Sequence, residues 1–161
     1  MSFDTRAFRQ ALGTFPTGVA VVTAEAPGAP PMGITVNSFT SVSLNPPLVL
    51  WCLDRKSDRF GVFSGASAYT ISVLGTAHED VSASLARPGA HRLDGLALVR
   101  TRSGPPALED ALAIFECTRE AVYEGGDHVI LVGRVVRFAR REAGGPLVFF
   151  RGKYGALSEA P

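Results

Sequence analysis

The chain has 161 residues, a formal net charge of +1, 46% hydrophobic and 19% charged residues. This length predicts a single domain, residues 1–161, that buries roughly 70% of its unfolded surface. The near-zero charge argues against nucleic acid or an anionic membrane as partner, and no apolar run approaches the ~20 residues of a membrane span. No signal-peptide pattern is present, and the isolated Cys52 and Cys117 suit a reducing compartment, so we expect a soluble cytoplasmic protein.

The first predicted element is a short amphipathic helix. Asp4 is a suitable N-cap, and the apolar residues Phe8 and Leu12 follow with helical spacing. Gly13 and Pro16 end the periodic pattern. We therefore expect the chain to open with a short amphipathic helix.

Most of the remaining sequence predicts short β-strands, with helical turns only at 58–63 and 78–86. The run 48–53 alternates too little for a half-exposed strand, so we expect it to be buried on both faces. Many short strands and few helices predict an antiparallel barrel or sandwich. The expected strands are 19–23, 32–36, 48–53, 69–74, 96–102, 113–123, 128–138 and 147–150.

Several catalytic patterns are missing. The sequence has no GxGxxG after a strand, no P-loop and no GxSxG elbow. His78, His91 and His128 lack metal-ligand spacing, so no metal site is expected. Dinucleotide-binding Rossmann domains, hydrolases and metalloenzymes are therefore unfavourable interpretations.

The polar block at 37–43, between two strand-like runs, is the most informative segment. Its hydroxyl and amide side chains are typical of a lined binding site, although a solvated loop with Ser/Thr turns would use the same residue types. It contains no titratable group. A site made from it would hold a polar ligand that brings its own chemistry.

Two further segments have both a structural and a functional interpretation. Arg55-Lys56-Ser57, directly after a buried strand, is either an ordinary polar exit or a phosphate clamp. His128 begins a strand after two glycines, where the backbone can approach a ligand, although a lone histidine in a turn is common. Cys52 fits a small buried hydrophobe better than a reactive thiol.

Taken in order, five segments resemble the short-chain flavin reductase family, the reductase components of two-component flavin-dependent monooxygenases. They are similar to the 4-hydroxyphenylacetate and phenol hydroxylase reductases. The resemblance covers essentially the whole chain and is weakest over 87–109. The segments are FPTGVAVVT (15–23), GITVNSFTSVSLNPPLVLWCLDRKS (33–57), YTISVL (69–74), GDHVILVGRV (126–135) and PLVFFRGKYG (146–155).

This resemblance implies a mostly β FMN-binding split barrel, normally a homodimer. It implies reduction of FMN or FAD by NADH or NADPH, with hydride passing from nicotinamide C4 to flavin N5 and reduced flavin diffusing to a separate monooxygenase. His128 is expected beside the nicotinamide as the catalytic residue. The expected cofactor-binding residues are Thr35, Val36, Asn37, Ser38, Ser41, Ser43, Cys52, Lys56, Ser57, His128, Arg151 and Tyr154.

By the same resemblance, Thr35, Asn37 and Ser38 are expected along the isoalloxazine edge, with Ser41 continuing that wall. Lys56 and Ser57 are expected at the flavin phosphate, with Arg55 as an alternative to Lys56, and Arg151 and Tyr154 on the nicotinamide side.

Three other interpretations stay open: a flavin-binding carrier or sensor without turnover, a lipocalin-like barrel for an apolar molecule, and a reductase of a non-flavin substrate using tightly bound FMN. The choice between FMN and FAD, between NADH and NADPH, and of the partner oxygenase is also open.

Overall fold

The computed structural model describes residues 3–102 and 104–158, and in these ranges the chain is mostly β, as expected. The described residues form three α-helices, α1 (Thr5–Leu12), α2 (Phe60–Gly65) and α3 (Glu79–Leu85), with a 3-10 turn at Thr76–His78 before α3. None of these helices is long and apolar enough to cross a membrane. The strands are β1 (Thr17–Gly18), β2 (Ala20–Ala24), β3 (Met32–Val36), β4 (Thr40–Leu44), β5 (Pro47–Asp54), β6 (Ala68–Val73), β7 (Leu98–Val99), β8 (Ala107–Leu108), β9 (Ala113–Gly125), β10 (His128–Arg140), β11 (Leu147–Phe150) and β12 (Lys153–Ala156).

Seven strands form one antiparallel sheet in the order β3-β2-β6-β9-β10-β5-β4. The sheet surrounds a core that includes the fully buried rings of Trp51, Phe63 and Tyr69. Trp51 makes edge contacts with the other two rings, at centroid distances of 6.1 and 5.7 Å. The two edge strands, β3 and β4, are joined by residues 37–39. The polar block therefore begins where the sheet is open.

A second layer covers the outer face of β2. Val19 and Val21 pack there with Leu85 of α3 and Leu147 of β11, while alternate residues of β2 face the first core. Every residue of β2 is buried. The strand buried on both faces is thus β2, and the same expectation for 48–53 is wrong. β5 alternates, because only the inner face of the sheet is covered there and its outer residues are half-buried.

Helix α1 forms where it was predicted, with Asp4 as its N-cap. The Asp4 carboxylate accepts hydrogen bonds from the backbone N–H groups of Arg6 and Ala7, at 2.9 and 3.0 Å. No residue of the helix is buried, and the side chains of Phe8 and Leu12 are 50% and 58% exposed. The apolar side faces outward in the single chain.

Three other expectations are corrected. Residues 96–102 contain only the two-residue strand β7, because this region follows an irregular connection and pairs with β8 alone. The polar block is partly a strand, β4, which pairs with β5. The tail after β11 folds back as β12 and forms a hairpin. The predicted helical segments at 58–63 and 78–86 are confirmed with shifted ends, and Phe63 and Leu85 are buried.

Candidate functional site

The turn after β5 and the turn before β10 lie side by side. Asp54, the last residue of β5, stands opposite His128, the first residue of β10. The Arg55 N–H donates to the carbonyl of Asp127 at 3.0 Å, which links the two turns. Gly126 has φ +74°, a left-handed conformation that glycine adopts without strain, and it turns the chain back into β10. The Asp-Arg-Lys-Ser and Gly-Asp-His motifs thus form one end of the sheet.

Asp127 orients the imidazole of His128. The His128 Nδ1 and the Asp127 Oδ1 are 2.8 Å apart, and a carboxylate acceptor means that Nδ1 carries the proton. This hydrogen bond, followed by the charges of His128 and Lys56, lowers the pKa of Asp127. The His128 side chain is 41% exposed. Its Nε2 makes no hydrogen bond to a residue of the described ranges and can meet a ligand.

The structure separates Arg55 from Lys56. The Arg55 guanidinium pairs with Glu124 and lies 5.8 Å from the centroid of the Phe60 ring. Lys56 forms no ion pair with a residue in the described part of the chain, and its N–H donates to Asp54 Oδ1 at 2.8 Å. An engaged arginine has less to offer an anion, so the arrangement favours Lys56 as the phosphate contact.

Ser38 joins the polar block to this end of the sheet. Its Oγ accepts a hydrogen bond from the backbone N–H of Cys52 at 2.9 Å. Cys52 lies two residues before Asp54 on β5 and stands opposite Ile130. The Ser38 side chain therefore holds the 37–39 connection against the strand that leads to Lys56. Cys52 is half-buried, and its backbone N–H, rather than its thiol, holds Ser38 in place.

A small cleft of about 160 Å³ lies at the start of this connection, where Asn37 lines it. The Thr35 Oγ1 donates to the carbonyl of Ser82 at 2.8 Å, and the Ser82 Oγ lies 2.7 Å from the hydroxyl of Tyr154. The buried Ser82 thus ties β3 to the terminal hairpin. The expected residues that line the cleft are Thr35, Val36, Asn37 and Tyr154, together with Val19, Ala86 and Phe149.

The aromatic wall of the cleft comes from the terminal hairpin. Tyr154 of β12 stands opposite Phe149 of β11, and their ring centroids are 5.4 Å apart at an interplanar angle of 62°. Packing against Phe149 fixes the Tyr154 ring beside Asn37 and Thr35. The cleft can therefore offer a flat aromatic surface beside the Asn37 amide, while the hydroxyls of Thr35 and Tyr154 are bonded to Ser82.

The remaining expected residues lie further away. Ser43 of β4 pairs with Leu48, which is six residues before Asp54 on β5, so at strand spacing it lies roughly 20 Å from the Lys56 turn. Ser41 is exposed on the same edge strand. Arg151 sits in the β11–β12 turn and faces helix α1, where its guanidinium lies 5.0 Å over the Phe150 ring. None of these three lines the Thr35 cleft.

Two residues escaped the sequence argument. Asp127 precedes His128 in the Gly-Asp-His motif but was not predicted as a site residue. The signal that could have found it is a carboxylate directly beside the histidine. Ser82 gave no signal, because a serine inside a helical pattern is usually solvent-exposed. In the described part of the chain no group of His, Cys, Asp and Glu side chains could hold a metal ion.

The fold and this site define a small ligand-binding β-barrel, and comparison with known proteins identifies its family. The flavin reductase like domain model matches residues 12–158. An Agrobacterium fabrum protein named FMN reductase (NADH) SmoA is 46% identical over 155 residues, which are 96% of this chain and 87% of that protein. The stachydrine N-demethylase reductase subunit Stc3 of Rhizobium meliloti is 43% identical over 98% of this chain and 68% of its own length.

Solved structures agree with this result. The NADH:FAD oxidoreductase SgcE6 of Streptomyces globisporus, in complex with NAD and FAD fragments, superposes with a TM-score of 0.90 at 36% identity. The match covers 96% of this chain and 93% of that one. The chain belongs to the flavin reductase family, and its fold is the split barrel of that family.

Proposed function

We propose that this chain is an NAD(P)H:flavin oxidoreductase that reduces FMN or FAD and releases the reduced flavin to a separate monooxygenase. The observation that carries the proposal is the pairing of an uncharged cleft, lined by Thr35, Asn37 and Tyr154 among apolar side chains, with a strand end that bears Lys56 and His128. When bound, the two cofactors supply the chemistry, a hydride passing from nicotinamide C4 to flavin N5, which requires no protein nucleophile. The chain's own part is binding, orientation and release.

The flavin side is assigned to the polar block and the turn after β5. Thr35, Asn37 and the backbone around Ser38 hydrogen-bond the polar edge of the ring, and Lys56 and Ser57 hold the phosphate. The support is local: Lys56 has no ionic partner in the described ranges, and Ser57 contributes a half-buried hydroxyl beside turn N–H groups. Neutral groups hold the ring without a committed charge, which suits a flavin that must leave after reduction.

The nicotinamide side is assigned to His128, Tyr154 and Arg151. Asp127 holds the His128 ring through Nδ1, which leaves Nε2 to orient the nicotinamide or its carboxamide. The role of His128 is then to position a ligand, and it moves no proton. The Tyr154 ring, fixed by Phe149, supplies a flat surface for the cofactor rings.

The receiving partner is inferred from relatives. Besides the stachydrine N-demethylase subunit, the reductase component of the flavin-dependent trigonelline monooxygenase of Acinetobacter baylyi is 38% identical over 92% of this chain. Both names describe the reductase part of a larger enzyme system, and we propose that this chain likewise supplies a separate oxygenase. We also propose that residues 1–161 act as one unit in the cytoplasm, where NAD(P)H is available and both free thiols stay reduced.

We further propose a homodimer. The outward side of α1, the residues that flank this helix, and strands β4 and β10 expose large apolar side chains that an isolated chain would leave in water. These are Phe3, Phe8, Leu12, Phe15, Leu44 and Phe138, exposed by 50–95%. Sedimentation analysis of the wild type and of Phe8→Lys/Leu12→Lys tests this. A dimer that dissociates in the variant is expected, and a wild-type monomer at micromolar concentration would contradict it.

The function is tested by steady-state oxidation of NADH and NADPH with FMN, FAD and riboflavin at varied concentrations. Turnover that rises with free flavin and saturates is expected, and it excludes a carrier or sensor that binds flavin without multiple turnover. Turnover without added flavin on another acceptor would indicate a reductase with tightly bound FMN. If no flavin supports NAD(P)H oxidation, the proposal fails.

A further inference from the structure

The basic side of helix α1 and the β11–β12 turn enclose a second cleft, which we call the arginine cleft. Its volume is about 490 Å³, and it is lined by Arg6, Arg9, Gln10, Gly13, Thr14, Arg151 and Gly152. Residues 6, 9, 10 and 13 share one side of the helix because they follow the i, i+3, i+4, i+7 spacing. This side of α1 carries its two arginines and lies against the hairpin turn.

The positive charge of the arginine cleft is uncompensated. None of its three guanidinium groups forms an ion pair with a residue in ranges 3–102 and 104–158, and no carboxylate lines it. Six other arginines do pair with Asp or Glu. Three planar, permanently charged forks around one cleft match the donors that phosphate groups require.

Arg151 is held in place by its backbone. Its N–H donates to the carbonyl of Gly13 at 2.8 Å, which fixes the hairpin turn against the end of α1. Arg151 has φ +48°, a left-handed conformation that costs a non-glycine residue free energy. Such strained residues cluster at ligand-binding sites.

The arginine cleft continues toward the Thr35 cleft. Arg151 also lines an outer cleft of about 530 Å³ with Lys153 and Tyr154, and Tyr154 in turn lines the Thr35 cleft. Shared residues thus connect the aromatic wall to three unpaired arginines. A ligand whose ring lies near Tyr154 can extend a charged portion in this direction.

We propose that Arg6, Arg9 and Arg151 bind the pyrophosphate of the nicotinamide dinucleotide. The inference rests on the proposed function, which assigns the flavin phosphate to Lys56 in the turn after β5. A pyrophosphate carries two negative charges and several acceptor oxygens, which three guanidinium forks satisfy better than one lysine.

The binding test uses ADP-ribose, which has the pyrophosphate and lacks the nicotinamide. Isothermal calorimetry compares the wild type with Arg6→Gln/Arg9→Gln and with Arg151→Lys. Losing fork-like charged donors at an exposed site should weaken binding about 5- to 10-fold for the double variant. Arg100→Gln is the matched control, because Arg100 is exposed and lines neither cleft. Equal affinity in all four proteins overturns the proposal.

Kinetic measurements distinguish whether the arginine cleft binds the pyrophosphate of NADH or that of FAD. With FMN as acceptor, the double variant should raise KM for NADH about 5- to 10-fold and leave KM for FMN unchanged. Weaker binding of FAD, at unchanged FMN binding and unchanged KM for NADH, would assign the cleft to the flavin dinucleotide instead and overturn the proposal. Because ADP-ribose binding requires no turnover, loss of the proposed activity and loss of this site are separate outcomes.

Discussion

Among the described glycines, Gly133 of β10 has the least room for an added methyl group. A Cβ at Gly133 of β10 would overlap the hydroxyl oxygen of Tyr69 and would lie 3.0 Å from its Cζ and 3.1 Å from the Cβ of Cys117. Tyr69 is fully buried and contacts Trp51 edge to face. The ring has no room to move without displacing Trp51. We therefore expect Gly133→Ala to destabilise the protein by about 2–3 kcal/mol, the upper part of the range for overpacked cores.

Removing the hydroxyl should relieve most of this cost. The Oη of Tyr69 is buried and has no hydrogen-bond partner among the described residues, so Tyr69→Phe alone is expected to be neutral or to stabilise by up to about 1 kcal/mol. In Gly133→Ala/Tyr69→Phe the overlapping oxygen is gone, and a favourable coupling of at least about 1 kcal/mol follows. The remaining contacts with Cζ and Cys117 keep the rescue partial.

Urea unfolding provides the assay, because Trp51 is the single tryptophan and is fully buried, so its fluorescence reports the core. All variants are compared at one protein concentration. Gly155→Ala is the control, since a Cβ there meets nothing within 4 Å and should not destabilise. A loss below about 0.5 kcal/mol in Gly133→Ala, or a loss that Tyr69→Phe does not reduce, would refute the reasoning.

Three further predictions concern the site and its surroundings. Replacing His128 with Ala should raise KM for NAD(P)H about tenfold or more and change KM for flavin far less. Equal changes in both KM values would contradict the assignment of His128 to the nicotinamide side. Ser82→Ala and Tyr154→Phe remove the same hydrogen bond, so each should cost about 1 kcal/mol in urea unfolding and the double variant little more than one of them; additive losses would contradict this. The hydrogen bond from His91 lowers the pKa of Asp58, so the stabilisation it provides is present above the ordinary Asp pKa and is lost as pH falls through the lowered one. Asp58→Asn should therefore lower the urea midpoint more at pH 7 than at pH 2.5, and a difference independent of pH would count against the pair.

Local patterns predicted much of the secondary structure and failed where burial depends on a second layer. The helix N-cap at Asp4 and the strands of 19–23, 32–36 and 128–138 follow from short-range preferences that act in any context. The run 48–53 is as apolar as a strand buried on both faces, yet only its inner face is covered. Which strand receives a second layer depends on where α3 and β11 pack, and that is a long-range property.

For the site, the sequence by itself determined the chemical inventory: neutral hydroxyl and amide groups in the polar block, a histidine after a glycine turn, and cations at a strand exit. The tertiary structure decided which of these groups meet. Register places His128 opposite Asp54, and Glu124 engages Arg55 while Lys56 stays unpaired in the described chain. It also placed Arg6 and Arg9 of α1 beside the β11–β12 turn. Sequence spacing encodes neighbours within one helix or strand, whereas contacts between elements far apart in the chain arise only when the barrel closes around its core.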